Sequence, residues 1–522
     1  MITDKIREVF KNNSFYFFIF IFFIGCLSGL SFSSVSIFIS VPIMFSTLSI
    51  LFFFLFTINK ESYLYYFFIG CLFSFGQLFV SLYWIANAFE FVFTNGIFLG
   101  LISIIFLTIA LSVFYGFSCI TIRYIHNICR LNIIGFAIIF AVFLSLGEYL
   151  RGNVLGGFPW NIMGYIWTDS LVMMQSLSLI GIYGLGLFTL LSATSVILIF
   201  NKTSYAIFSL LPIILCAIYG EMRLSLKTND VDNLLSIRIV QPAISQEEKW
   251  DKKLSHIHLE KLISLSLKDN VAIKPKVILW PESAIPYNSS IMENSTELVN
   301  WLNEDQILIA GITRTEFTNN NLSKIFNSAF ITDKFFNNIY YDKIKLVPFG
   351  EYNPFKMILN FNKITTGTID FSSGENNNII NLYNNRYNIG VLICYEIIFP
   401  GKVINGKRPD FLVNLTNDAW YGNTYGPLQH LAAARARAIE EGLPVIRSAN
   451  TGVSAIINEY GQYLKRLELG EEGVLDINLA LNQKKTFYSV YGNFLYLISL
   501  IFMLMLTRFA FISRNFKQGK QK

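Results

Sequence analysis

The chain is 522 residues long, 53% hydrophobic and 16% aromatic, with only 15% charged residues and a formal net charge of +6. Ordinary soluble domains carry about 25% charge, so this composition excludes a chain that is soluble throughout. The small basic excess does not call for a nucleic-acid partner, because its lysines and arginines sit where a membrane protein keeps them.

Apolar runs such as "FYFFIFIFFIGCLSGL" and "SATSVILIF" fill the chain from Phe15 to Gly220, and "VYGNFLYLISLIFMLML" follows near the C-terminus. Runs of about 17 to 25 apolar residues are long enough to cross a bilayer as helices. The predicted spans lie near 15–31, 36–57, 63–88, 94–119, 132–150, 172–199, 204–220 and 489–512. The expected fold class is therefore a polytopic α-helical membrane protein of about eight spans, with an α/β domain between the last two. Lys5, Arg7 and Lys11 precede the first span. With further spans directly behind it, that segment reads as an uncleaved anchor rather than a signal peptide. In "EYLRGN", Glu148 and Arg151 are one helical turn apart and are expected to pair.

Positive charge in short loops marks the cytoplasmic side. The N-terminal tail, Lys60, Arg123 with Arg130, Lys202, and the tail Arg514, Lys517, Lys520 and Lys522 fall on one side, while the other side has Arg151 alone in its short loops. Both termini are thus expected inside and the α/β domain outside. Cys26, Cys71, Cys119, Cys129 and Cys216 lie in or beside the apolar region, and Cys394 is the single cysteine of the exported domain. One thiol cannot form a disulfide framework there, although that compartment is usually oxidising.

The expected domains are 1–230, of about seven spans; 231–485, the α/β domain; and 486–522, the last span with a basic tail. Within 234–482, predicted strands run through "SIRIVQPA", "KVILWPES", "ILIAGITRT", "NSAFITD", "IGVLICYE", "DFLVNLTND", "PVIRSANTG", "VSAIINEYG" and "GVLDINL". Helices are predicted over Lys252–Leu267, Ser295–Asn303 and Pro427–Glu441, the last with Pro427 in its first turn and Gly442 just beyond its end. Strands mixed with helices over this length point to a sheet covered on its faces.

Three strand ends carry chemistry. "VILWPES" ends in Glu282 at a turn stiffened by Pro281, "YYDKIKLVPFGEYNP" brings Lys343, Lys345 and Glu351 around a Pro-Phe-Gly turn, and "GVLICYE" runs from a buried strand into Cys394, Tyr395 and Glu396. Each has a plain alternative. A strand cysteine is often a small buried hydrophobe, a Glu after Pro is a common turn residue, and lysines suit an exposed sheet edge. All three occur at strand ends of one domain, where open α/β sheets gather ligands.

The order "WPES", "K…VPFGE", "CYE" resembles the nitrilase superfamily. With the membrane helices and "GGFPWNIMGY", "QPAISQEEKW", "NLTNDAWYG" and "GPLQHLAAARARAIEEGLPVIRSANTGVSAIINEYG", the chain is similar over essentially its whole length to the apolipoprotein N-acyltransferases, the membrane-embedded members of that superfamily. Ala243 stands where that family commonly shows Asn, a departure that bears on a local hydrogen bond rather than on the chemistry. The resemblance implies an α-β-β-α sandwich and a triad of Glu282 as general base, Lys343 at the oxyanion and Cys394 as nucleophile. Lys345 is two residues from Lys343 and points to the other face of an extended stretch, so Lys343 is preferred. Glu351, Tyr395 and Glu396 are expected to support the triad, and Trp250 and Trp420 either to contact substrate or to fill the core.

The implied reaction takes an acyl chain from a phospholipid onto Cys394. It then passes the chain to the α-amino group of an S-diacylglyceryl cysteine at a lipoprotein N-terminus, in the bacterial cytoplasmic membrane. The segment "NPFKMILNFNKITTGTIDF" is expected to act as a lid that dips toward the bilayer. No metal-ligand spacing, phosphate-binding glycine loop or nucleotide motif appears, so no cofactor or metal is expected. Two rivals stand beside this reading. A membrane-tethered amidase or nitrilase would use the same triad on a small substrate. A transporter with an accessory domain would carry ionisable residues inside several spans, and these spans are almost free of charge.

Overall fold

Lipid offers a polypeptide no hydrogen-bond partners, so an apolar segment satisfies its backbone within itself and folds as helix. The computed structural model describes residues 14–33, 36–226, 234–268, 274–289, 296–318, 321–354, 369–375, 377–481 and 484–518. Its first region forms helices α1 Ser14–Gly29, α2 Ile37–Thr57, α3 Tyr63–Ser81, α4 Gly96–Cys129, α5 Ile133–Asn153, α6 Leu177–Ala193 and α7 Thr203–Ser225. Among the described residues seven helices are long and apolar enough to cross a membrane, and the helix Phe494–Gln518 contributes a further apolar stretch, Phe494–Thr507. The chain divides into two units, one of Met1–Tyr83, Leu101–Leu226 and Phe487–Lys522, the other of Trp84–Gly100 and Lys227–Thr486.

In the helical unit, α1 and α3 approach through glycines. A Cβ at Gly25 would strike the Phe73 carbonyl, and one at Gly76 would strike the Phe22 carbonyl. Helices in lipid associate by such close packing of small residues. The third span stops at Ser81 rather than near 88, because Tyr83–Ala86 tightens into a 3-10 turn. The sixth starts late: Leu171–Met174 is a separate turn, and Gly181 breaks the helix that follows with φ of 64° against the Tyr488 ring. Glu148 and Arg151 are buried and attract one another, but they make no direct ion-pair contact. The Glu148 carboxylate accepts from Met163 N at 3.2 Å, while Arg151 Nη1 donates to the Trp160 carbonyl at 2.8 Å. The peptide bends back after α5 and offers each charge a nearer backbone partner, which a helical-turn spacing alone does not reveal.

The second unit is built on two six-stranded sheets. The first has the order β12-β1-β2-β3-β4-β5, from Gly473–Ala480, Leu234–Gln241, Val277–Leu279, Ile307–Thr318, Asn321–Asp333 and Ile339–Asp342. The second has the order β11-β10-β9-β8-β7-β6, from Tyr463–Leu467, Ser454–Ile457, Val445–Ala449, Phe411–Thr416, Tyr387–Ile393 and Ile379–Leu382. Three neighbouring strands run parallel in each, β1-β2-β3 and β7-β8-β9, with antiparallel flanks.

Strand alternation decides which residues face which layer. Ile237, Ile239, Val277 and Leu279 meet Val391, Ile393, Val413 and Ile446 in one core between the sheets. Val240, Ile278 and Trp280 point the other way, onto helix α8 Ser255–Leu267. Helix α9 Gly426–Glu441 packs on β9 of the other sheet and ends at Gly442 with φ of 62°, as its stop signal predicts. This is the expected α-β-β-α sandwich. Among the described residues the helix predicted over 295–303 is not formed as an α-helix: Thr296–Leu298 is a short 3-10 segment, followed by a hydrogen-bonded turn through 301.

Candidate active site

Glu282 is fixed by the strand beside it. Past β2, Trp280 N donates to Ile309 O, Gly311 N to Pro281 O and Ile285 N to Gly311 O, so the "WPES" turn lies against β3. A Cβ at position 311 would run into the backbone of Glu282 and Ser283, so only glycine lets the turn sit there. The carboxylate is buried. Its Oε1 accepts from Asn327 Nδ2 at 2.7 Å, and its Oε2 from the backbone N of Asn417 at 2.8 Å.

Lys343 continues the ladder of β5, with its N–H on Asn327 O at 2.9 Å. Its side chain is buried while that of Lys345 is exposed, as the two-residue period requires. The ammonium lies 2.9 Å from Glu351 Oε1 and 3.6 Å from Glu282 Oε1. Burial works against its charge, but Glu351 and Glu282 outweigh burial and hold it well above the usual lysine range. Glu351 is itself tied down, with Oε2 accepting from Val347 N at 2.7 Å. Asn327 Nδ2 bridges the two carboxylates, at 2.9 Å from Glu351 Oε1.

Cys394 stands where β7 turns into the 3-10 segment Cys394–Ile398, with φ of 50°. A non-glycine residue in the left-handed region costs of order 1–3 kcal/mol, and such strain concentrates at functional sites. The thiol is buried and pushed up to about 12, first by burial and then by Glu282, with Lys343 pulling the other way. It therefore rests as a neutral thiol within the fields of both predicted partners.

Glu396 lies two residues on. Its oxygens accept from Ile344 N at 2.8 Å, Lys345 N at 3.1 Å, Ile393 N at 2.8 Å and Tyr341 Oη at 2.9 Å. It thereby binds the turn that carries the thiol to the loop that carries Lys343. Tyr395 is buried with its ring edge-on to Phe399.

Sequence reading missed a second buried network. His430 on α9 places Nδ1 at 2.8 Å from Asp418 Oδ1 and Nε2 at 3.1 Å from the Cys394 carbonyl. Arg447 on β9 donates to Asp418 Oδ2 at 2.5 Å, and with His430 it holds that carboxyl at about 2 despite burial. Burial and Arg447 favour the neutral imidazole, whereas Asp418 and the Cys394 carbonyl favour the cation. The signal was present as charged residues inside apolar runs, Arg447 in "PVIRSA" above all. The ligating atoms of Cys394, Asp418 and His430 lie within 4.8 Å of one another. The carboxylate and the ring already spend their polar atoms on Arg447, Thr416 and the Cys394 carbonyl.

Lys249 was also missed. It is buried in the turn after β1, with Nζ on the carbonyl oxygen of Glu282 at 3.0 Å. Its neighbour Trp250 is 42% exposed, which removes it from the core. Trp420 is half-buried, edge-on to Phe91 from the Trp84–Gly100 segment. Phe91, Ala419, Gly422 and Gln246 help line a cleft of about 350 Å³. Gln246 accepts from Asn417, whose N–H holds Glu282, so the cleft comes within one residue of the predicted base. Ala243 has φ of 49°, a conformation that Asn tolerates better than Ala. Asn450 brackets that turn, bonding to the N–H and the carbonyl of Ile244. The predicted lid, with Phe355, Met357, Ile358, Leu359 and Phe361, lies outside the described residues.

Two family models match the chain. Residues 236–486 match the carbon-nitrogen hydrolase model, and residues 14–195 match the apolipoprotein N-acyltransferase N-terminal domain. A solved amidase from Nesterenkonia sp. aligns with a TM-score of 0.33 at 16% identity, covering 48% of this chain and 91% of that one. The apolipoprotein N-acyltransferase of Rickettsia prowazekii is 34% identical over 452 residues, covering 84% of this chain and 88% of the relative. That of Rhodopseudomonas palustris is 34% identical over 461 residues, covering 84% and 85%. With both halves matched in order and relatives this similar along most of their length, the chain belongs to the apolipoprotein N-acyltransferase family of membrane proteins.

Proposed function

We propose that this acyltransferase moves a fatty acyl chain from a membrane phospholipid to the N-terminal α-amino group of an S-diacylglyceryl apolipoprotein, with Cys394 as the acyl carrier. The observation that carries the mechanism is the buried Glu282–Lys343–Glu351 cluster, with its 3.6 Å and 2.9 Å contacts, acting on a neutral thiol. A thiol at about 12 needs a base to react at neutral pH. Glu282 takes its proton as sulfur attacks the ester carbonyl, and Lys343 stabilises the oxyanion. Collapse breaks the ester C–O bond, and Glu282 returns the proton to the departing lysophospholipid oxygen. The thioester is then attacked by the neutral α-amine. Glu282 accepts the amine proton, the C–S bond breaks, and the proton passes to the released sulfur.

Both substrates are lipid-anchored, which accounts for a hydrolase-like body fused to apolar helices. The basic residues of the short loops support an orientation in which both termini are cytoplasmic and the α/β body is periplasmic at the bacterial inner membrane. The functional regions are 1–230, 231–485 and 486–522. The tethered-amidase alternative is not favoured, since the matched relatives carry the acyltransferase name over both regions.

Intact-mass analysis tests the mechanism. Incubation with phospholipid is expected to add one fatty-acyl mass to Cys394 as a hydroxylamine-labile thioester, and a diacylglyceryl-cysteine peptide is expected to discharge it. Cys394→Ala should abolish both steps. Glu282→Gln and Lys343→Met should each slow loading by at least about 100-fold, and the losses should not add in the double variant. A triacylated peptide made by Cys394→Ala would overturn the mechanism.

A further inference from the structure

A buried ammonium is costly unless its charge and its N–H donors are matched. Lys249 is 7% exposed, and among the described residues its three donors meet one protein acceptor, the Glu282 carbonyl at 3.0 Å. The other groups whose charges reach it from within the site are the Glu282 carboxylate and the Cys394 thiol. Those two groups exchange a negative charge in the acylation step: it leaves Glu282 when the base is protonated and appears on sulfur and then on the oxyanion. Lys343 is already shared between Glu282 and Glu351. Counting these groups alone, two carboxylates face one lysine, and Lys249 supplies the second positive charge that makes the set neutral before and after the proton moves.

We propose that Lys249 is a second cationic residue of the reaction, which positions the Glu282 turn through its carbonyl and offsets the charge that passes from Glu282 to the Cys394 adduct. This rests on the acyl-carrier reading above and adds a residue to it. The position follows from the fold: the turn after β1 brings Lys249 alongside the strand end that carries Glu282, with β1 and β2 paired in parallel.

Lys249 differs from Lys343 in how firmly it keeps its proton. Burial pulls Lys249 down to about 8, with Glu282 and Cys394 only partly restoring it, whereas Lys343 is held above the usual range. Lys249 is therefore charged below about pH 8 and loses its charge above it, while Lys343 stays charged. The other titratable and charged groups facing this region are Glu351, Asp418, Tyr421, His430 and Arg447 around the thiol, and Glu248, Asp251, Lys261 and His258 near the start of α8. The two histidines are lowered by burial and the tyrosine is raised, so none of these three changes charge between pH 8 and 9.5.

The test is the single-turnover rate of acyl loading from phosphatidylglycerol in detergent micelles, read by intact mass between pH 6.5 and 9.5. Loading involves no substrate amine, so the profile reports the enzyme. The full-length enzyme is expected to load at a constant rate to about pH 8 and then to slow roughly tenfold per unit. Lys249→Met should load about 100-fold more slowly at pH 7 with no fall-off, and Lys249→Arg should stay within about tenfold of the parent at pH 7 with the fall-off removed. A parent profile that stays flat to pH 9.5 overturns the proposal even if Lys249→Met fails to fold. So does a folded Lys249→Met variant with the parent rate and profile. Loading by Cys394→Ala would instead overturn the acyl-carrier reading on which the proposal stands.

Discussion

Glu396 takes no part in the proposed chemical steps, yet it ties together the two segments that carry Lys343 and Cys394. Its carboxylate accepts from three backbone N–H groups and the Tyr341 hydroxyl, and these donors come from the Lys343 loop and the Cys394 turn. A carboxylate accepts at both oxygens, but a glutamine amide turns one end into a donor and sets N–H against N–H. Glu396→Gln is expected to cost about 1–3 kcal/mol of stability and to slow loading while the thiol itself remains in place. Thermal melting and the loading rate, measured on the same preparation, check this; an unchanged loading rate would reduce Glu396 to a structural tie. At this scale the sequence was informative for groups that stand out chemically. Glu282, Lys343, Glu351, Cys394 and Glu396 all lie where short motifs put them. Lys249, Asn327 and His430 were not legible, because their roles depend on which distant backbone atoms they meet.

At the scale of elements, the site is made by strand ends that a neighbouring strand holds in position. β3 accepts the Glu282 turn only because Gly311 has no side chain at the crossing. Gly311→Ala should push the turn outward and loosen both the Asn417–Glu282 bond and the Lys249 contact. The expected result is a loss of about 1–3 kcal/mol from overpacking and at least a tenfold drop in loading, with alkylation of Cys394 by a small reagent little changed. Retained loading would show that the turn tolerates displacement. Nine strands were readable as apolar runs. The three that were not, β5, β6 and β11, are edge strands, and β11 is mostly exposed along "YLKRL". These three bury one face or less, so their sequences show no strong apolar run. The broken start of α6 escaped for a related reason: hydropathy reports how apolar a segment is and not where a positive-φ glycine interrupts it.

For the whole molecule, the proposed chemistry requires the thiol and both proposed lipid substrates to meet on one side of the bilayer. The charge asymmetry of the short loops supports the proposed orientation, with the α/β body outside and both tails inside. A membrane-impermeant amine reagent applied to intact spheroplasts is expected to label exposed lysines of the body, such as Lys252, Lys253 and Lys268, and to spare Lys520 and Lys522. Labelling of the tail with protection of the body would reverse the orientation.

The sequence by itself determined the membrane class, the approximate spans and the α/β body, and its short motifs pointed to Glu282, Lys343 and Cys394 as candidate reacting groups. These follow from composition, apolar period and short motifs, all of which act locally along the chain. Only the tertiary structure decided how the groups are tuned. The resting thiol at about 12, the lysine at about 8 and the carboxylate at about 2 each arise from burial together with charges far away in sequence. Asn417 reaches Glu282 across 135 positions, and Lys249 reaches it across 33. Electrostatics depends on distance in space and on the solvent excluded between charges, and neither is written in the order of the residues.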